Sequence, residues 1–162
     1  MVTLLLIFPY QLKSDELKKL PSEHEYNFYS GMFDFSDNGK KSTVIGLQHQ
    51  NENLTRKSFL GTLSPVSGAL ITTDNAAYFY TGVQAQYKIG KFNLTPSFTP
   101  GFYKKGDGKD LGHALEFKSE VQLSLNLFEN SQFGMSYNHI SNASLGDKNP
   151  GANSYMFNFL QK

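Results

Sequence analysis

The stretch from His113 to Phe128 changes character at almost every residue. Leu115, Phe117, Val121, Leu123, Leu125 and Leu127 fall on one side, and Glu116, Lys118, Glu120, Gln122, Ser124 and Asn126 on the other. Ser119 alone interrupts the apolar side. Successive side chains of an extended chain point to opposite faces, so this pattern specifies a strand with one apolar and one polar face. A helix needs apolar spacings of three and four, and the segment has none of that rhythm. The period returns in Phe92–Phe102, where Phe92, Leu94, Pro96, Phe98, Pro100 and Phe102 alternate with Asn93, Thr95, Ser97, Thr99 and Gly101. It returns again in Phe79–Ile89. Proline cannot donate to a sheet ladder, so Pro96 and Pro100 are expected at bulges or local breaks.

Turn-forming clusters separate the alternating segments: Ser36–Lys41, Gln50–Lys57, Thr72–Asn75, Gly90–Lys91, Lys104–Leu111, Glu129–Ser131 and Ser144–Ala152. These seven turns divide the chain into eight strands, at about 25–35, 42–50, 58–71, 76–89, 91–103, 112–128, 131–143 and 153–161. No internal repeat is visible.

Eight alternating strands close into a barrel, and the question is which face is inside. A soluble barrel encloses its apolar face around a ligand; a membrane barrel turns that face to lipid around a polar lumen. The strands are near or above the ~9–11 residues that cross a bilayer. Glu116, Lys118 and Glu120 on one polar face can pair across a narrow lumen. Charged residues are 18% of the chain, below the ~25% usual for soluble domains, while aromatics reach 14% without a single Trp. No apolar run approaches the ~20 residues of a spanning helix. A net charge of +1 offers no electrostatic case for nucleic acid, and the absence of Cys removes thiol and Cys–zinc chemistry. The expected fold is an all-β, eight-stranded antiparallel transmembrane barrel over 25–162, preceded by a lead-in over 1–24. Met1–Tyr10 reads as the tail of a secretory signal, and Ser14–Leu20 as a short helix capped by Ser14. With both barrel ends periplasmic, the Ser36–Lys41, Thr72–Asn75, Lys104–Leu111 and Ser144–Ala152 turns lie outside the cell.

One segment looks chemical: Tyr137–Asn153, YNHISNASLGDKNPGAN. His139 and Ser141 are two apart on a strand and share a face, the lipid face that also carries Phe133, Met135 and Tyr137. They stand on the order of 20–25 Å up the barrel from the Glu129–Ser131 turn, at the outer-leaflet boundary. Asn153 opens the next strand on the same face. A purely structural barrel gains nothing from such a polar group, although two polar side chains reaching the membrane interface are a simpler reading. His24, His49 and His113 have no partner at motif spacing, and no metal constellation is visible.

The run His139-Ile140-Ser141-Asn142-Ala143-Ser144-Leu145, followed by Asn149-Pro150-Gly151, resembles the lipid A 3-O-deacylase (PagL) family of outer-membrane enzymes. The resemblance is strong over about 112–160 and architectural before that. It implies a serine esterase acting on lipid A or lipopolysaccharide in the outer leaflet, among outer-membrane lipids and with no cofactor. Ser141 would be the nucleophile and His139 its general base. The Asn142 amide and the Ser144 N–H would hold the oxyanion, with Ser144 standing where the family usually has Gly. The family's acid, which orients the histidine, falls on Asn153; Asp147 in the intervening loop is an alternative. Family barrels end in an aromatic residue, and Lys162 departs from that. Lys104, Lys105 and Lys148 are candidates for lipid A phosphate contacts by charge complementarity. A catalytically silent barrel with a structural or lipid-binding role is the rival reading, and a soluble barrel carrying a small apolar ligand is a third.

Overall fold

The computed structural model describes residues 24–37 and 40–162. The expected signal remnant and helix lie outside the described residues. The strands are β1 (His24–Phe33), β2 (Ser42–Asn51), β3 (Arg56–Ser58), β4 (Gly61–Thr72), β5 (Ala77–Ala85), β6 (Tyr87–Ile89), β7 (Phe92–Lys104), β8 (Leu115–Phe128), β9 (Ser131–Ser141) and β10 (Ala152–Gln161). Eight of them form the wall, each antiparallel to its neighbours, and pairing of β1 with β10 and of β2 with β4 closes the ring. β3 adds a small hairpin on β4, and β6 continues the line of β5 along β7.

Several boundaries differ from the sequence reading for local reasons. The first strand stops at Phe33, because Asp34 enters the left-handed region with φ 53° and starts the turn. The seventh stops at Ser141, because Ala143 and Ser144 are left-handed at φ 51° and 65°. The strand expected at 76–89 divides at Gln86 into β5 and β6.

The prolines account for that division, and of the two forms expected of them, bulge or local break, they take the second. Against β8, β7 pairs in constant register through both of them, Pro96 opposite Val121 and Pro100 opposite Phe117. On its other edge the ladder lapses twice, between Gly101 and Phe98 and again between Ser97 and Leu94. Pro100 and Pro96 sit in those two gaps, opposite Thr81 and Ala85 of β5, where each lacks the N–H a ladder bond needs. The breaks therefore cost bonds on one edge and leave the register intact. The register shift seen in the described wall lies elsewhere, between Asn126 and Phe128 of β8.

The sidedness is that of a membrane barrel. Leu123 and Phe157 are 46% and 47% exposed on the outer surface, while Glu116 and Lys118, on the alternate face of β8, are 0% and 1% exposed. The soluble, ligand-carrying alternative requires the reverse. Inside, Lys118 and Glu120 pair as the alternation suggests, while the Glu116 carboxylate oxygens accept no hydrogen bond among the described residues. Lys118 Nζ lies 3.6 Å from Glu120 Oε2 and 4.1 Å from the centre of the Tyr80 ring. Asn138 donates to Glu120 Oε2 at 3.1 Å, and Asn27 donates to Gln122 and Asn158 at 3.2 and 3.0 Å. Buried polar groups need such partners, because each surrenders its water on folding.

The β1–β2 register also produces a pairing that the sequence reading missed. His24 Nδ1 and His49 Nε2 approach to 2.9 Å, with their rings stacked. His113 closes a local turn instead, accepting from Leu115 N at 3.0 Å.

Candidate active site

β9 and β10 are joined by the 142–151 loop, and their register sets His139 directly opposite Asn153. On its other side His139 faces Ser119 of β8, and Ser141 faces Phe117. Alternation turns His139 outward and exposed, Ser141 outward and half-buried, and Asn138, Ile140 and Asn142 inward and buried.

The Asn153 amide is the hub. Its Oδ1 lies 2.8 Å from His139 Nδ1 and accepts from the Tyr137 hydroxyl at 2.8 Å. Its Nδ2 donates to Ser36 Oγ at 3.1 Å, and the backbone carbonyl of Asn153 accepts from Phe35 N at 2.9 Å. Phe35 packs its ring against Tyr137 and Tyr155. Phe35 and Ser36, which follow β1, are thereby folded onto the loop-proximal end of β9 and β10. Sequence reasoning missed Tyr137 and Ser36. Tyr137 was traceable as the same-face neighbour of His139, whereas nothing in the Ser36–Lys41 turn signals that Ser36 meets the site.

His139 and Ser141 share the face, yet no hydrogen bond joins them. The far edge of the imidazole lies against Gly151, whose φ is +61°. A Cβ at that position would stand 2.7 Å from His139 Cε1 and 3.2 Å from Nε2. The glycine of the Asn149-Pro150-Gly151 run therefore leaves room for the ring as well as turning the chain. Asp147 is exposed in the loop, and the ring nitrogen it was considered for is occupied by Asn153.

Asn142 to Leu145 form a tight turn closed by Leu145 N donating to Asn142 O at 3.0 Å. Left-handed backbone disfavours residues with a Cβ by ~1–2 kcal/mol each, and Ala143 and Ser144 both adopt it here. This is why glycine suits the position of Ser144. The Ser144 N–H donates to Asn142 Oδ1 at 2.9 Å, and the buried Asn142 amide donates to Leu111 O and Lys148 O, both at 2.8 Å. Asn142 N donates to Asn149 Oδ1 at 3.0 Å. The two expected oxyanion residues are thus adjacent, but their donors are engaged with each other and with the outer loops.

The lysines divide. Lys148 Nζ is 3.0 Å and Lys105 Nζ 3.6 Å from Asp110 Oδ2. The hydrogen bond from Lys148, helped by Gly112 N–H, holds the Asp110 carboxyl below its ordinary value. Lys104 is exposed at the C-terminal end of β7. Among the described residues no group of three His, Asp or Glu side chains is placed to hold a metal ion.

No curated protein matches the chain. Among solved structures, the crystal structure of the outer membrane enzyme PagL superposes with a TM-score of 0.61 at 17% identity, covering 85% of this chain and 99% of that one. A de novo designed transmembrane β-barrel superposes at 0.52 with 12% identity, covering 88% and 97%. At these identities the likeness is one of fold. The family described as lipid A 3-O-deacylase (PagL) matches residues 25–160, nearly the whole described barrel, and the chain belongs to that family.

Proposed function

We propose that this barrel is a lipid A 3-O-deacylase of the outer membrane, with His139, Ser141 and Asn153 as its reacting group at the outer leaflet. The observation that carries the reading is the contact of Asn153 Oδ1 with His139 Nδ1, on the outer wall of a chain of this family. An oxygen at that distance accepts a hydrogen bond from Nδ1–H, keeps the proton on Nδ1 and so leaves the Nε2 lone pair free to act as base. Nε2 then takes the proton of Ser141 Oγ as that oxygen attacks the 3-position ester carbonyl. The tetrahedral intermediate collapses to the acyl-enzyme and expels the sugar oxygen, which the imidazolium protonates to the free hydroxyl. Water, activated by the same imidazole, releases a 3-hydroxy fatty acid from the acyl-enzyme. Substrate binding would bring His139 and Ser141 into contact, since catalytic hydrogen bonds often tighten only in the complex. The proposed oxyanion donor is the Ser144 N–H, the substrate oxygen replacing Asn142 Oδ1 as its acceptor, while Asn142, buried with its amide donated to Leu111 O and Lys148 O, shapes the turn that presents it. The reaction requires no cofactor. Lys104, Lys105 and Lys148 would face the lipid A phosphates at the outer rim, the last two exchanging their contact with Asp110.

The test is mass spectrometry of lipid A from cells with and without the protein, with loss of one 3-hydroxyacyl chain expected. A second, quantitative test is Asn153→Glu. Asn153 is neutral and cannot stabilise the imidazolium by charge. The acidic residue should raise the turnover about tenfold or more, which is ~1.4 kcal/mol of barrier. Desolvation of the carboxylate opposes this, but the adjacent imidazolium offsets it in the step that matters. The neutral partner and the separation of His139 from Ser141 favour one rival, a catalytically silent barrel. Unchanged lipid A in cells carrying the folded wild-type and Asn153→Glu proteins would establish that rival.

A further inference from the structure

An amide beside a catalytic histidine has a handicap that a carboxylate lacks: it has two different ends. Turned with its oxygen to Nδ1, Asn153 keeps the imidazole proton on Nδ1 and Nε2 free. Turned the other way, its NH2 donates to Nδ1, forces the proton onto Nε2 and disables the base. Something must choose between two orientations of nearly equal shape.

We propose that Tyr137 and Ser36 are positioning residues that fix the sense of the Asn153 amide and, through it, the tautomer of His139. Tyr137 Oη lies 2.8 Å from Asn153 Oδ1, and Ser36 Oγ lies 3.1 Å from Nδ2, on the opposite end of the same amide. The two hydroxyls differ in chemistry. A phenol is the stronger donor and the poorer acceptor, because its lone pair is drawn into the ring and its pKa is near 10. A serine hydroxyl accepts readily. A strong donor on one side and a willing acceptor on the other select the orientation with oxygen toward Tyr137, which is also the orientation with oxygen toward His139. The pair is held in place by the surrounding turn. Phe35 N donates to the backbone carbonyl of Asn153 at 2.9 Å, and the Phe35 ring packs edge-on against Tyr137. The β1–β2 turn, remote in sequence, therefore takes part in setting the state of the base.

This inference rests on the hydrolase reading for its kinetic consequence, but not for its structural one. A carboxylate has two equivalent oxygens and no sense to choose, so Tyr137 and Ser36 should matter for Asn153 and not for an acid in its place. Asn153→Asp keeps the side-chain length and supplies that background. In the otherwise native chain, refolded in detergent with lipid A as substrate, Tyr137→Phe and Ser36→Ala should each lower kcat/KM about tenfold, by populating the wrong tautomer. In the Asn153→Asp background each should cost less than about twofold. Equal losses in both backgrounds would show a merely structural role and overturn the proposal.

The companion readout needs no turnover. Nitrogen-15 NMR of the imidazole, assigned with His139→Gln, should place the proton of neutral His139 on Nδ1 in the native chain. It should show a shift toward Nε2 in Tyr137→Phe and Ser36→Ala. A tautomer unmoved by either substitution overturns the proposal even if the enzyme is active. A tautomer that moves in a chain without deacylase activity supports the positioning role and defeats the hydrolase reading separately.

Discussion

Asn138 and His139 are consecutive on β9, and they belong to two polar clusters with opposite reasons for existing. Asn138 points inward, where it donates to Glu120 in a network with Lys118 and the neighbouring strands. His139 points outward to Asn153, Tyr137 and, through them, Ser36. The inner cluster is compulsory. Closing a narrow barrel removes water from every inward side chain, and unpartnered polar groups there would oppose folding. The outer cluster is optional as far as folding goes. It occupies positions that Phe133, Met135 and Phe157 fill with apolar groups further down the same face. Polar atoms that folding requires report on architecture, whereas polar atoms that it would do without report on chemistry.

The contrast is breakable. Ser141→Ala or His139→Ala should abolish deacylation, a loss of about a thousandfold or more, because nucleophile and base act as a unit. The denaturation midpoint in detergent should stay where it is. A large stability loss from either substitution would move the outer cluster into the structural class. Lys118→Ala should do the reverse. Leaving Glu120 buried without its cation typically costs about 3–5 kcal/mol, read as an earlier unfolding midpoint, with kcat/KM retained in the protein that folds. If that variant does not assemble, Lys118→Met, which fills the space, tests the same point. Ser144→Gly should stabilise modestly, on the order of 0.5–1 kcal/mol, since relief of left-handed strain exceeds the added chain entropy. Asp110→Asn should give the smallest effect. The Asp110 carboxyl is held below its ordinary value by Lys148. Its contribution is therefore complete above the unfolded value near 4 and is lost as the pH falls through the lower, folded one. Protease resistance of the outer loops should be slightly lower in the variant at pH 7, and the difference should close only below about pH 4.

How much of this was legible in the chain depended on whether a neighbour along the strand or across it supplied the information. Strand count and sidedness follow from alternation, which is local: Leu123 out and Gln122 in need only a period of two. The outward face of His139 and Ser141 came the same way. The pairing of His24 with His49 did not, because it depends on the β1–β2 register. Nor did the engagement of Asn142 with Leu111 and Lys148, which needs the packing of two outer loops. Pro96 and Pro100 were legible as bulges or local breaks, but the edge that each missing N–H faces was not, because it depends on the pairing across the strand. The Asn149-Pro150-Gly151 run was visible as a motif, while its steric service to the imidazole was not.

The outward face of Ser141 has a kinetic corollary. A nucleophile on the outside wall of a barrel meets its substrate by diffusion in a plane, so in the proposed reaction bulk concentration is the wrong variable. Turnover should follow the mole fraction of substrate within the leaflet or micelle. Adding inert detergent or phospholipid at constant total substrate would slow the enzyme by dilution of the surface alone. Apparent affinities measured at different detergent loads would then disagree, and they would converge once expressed per unit of interface.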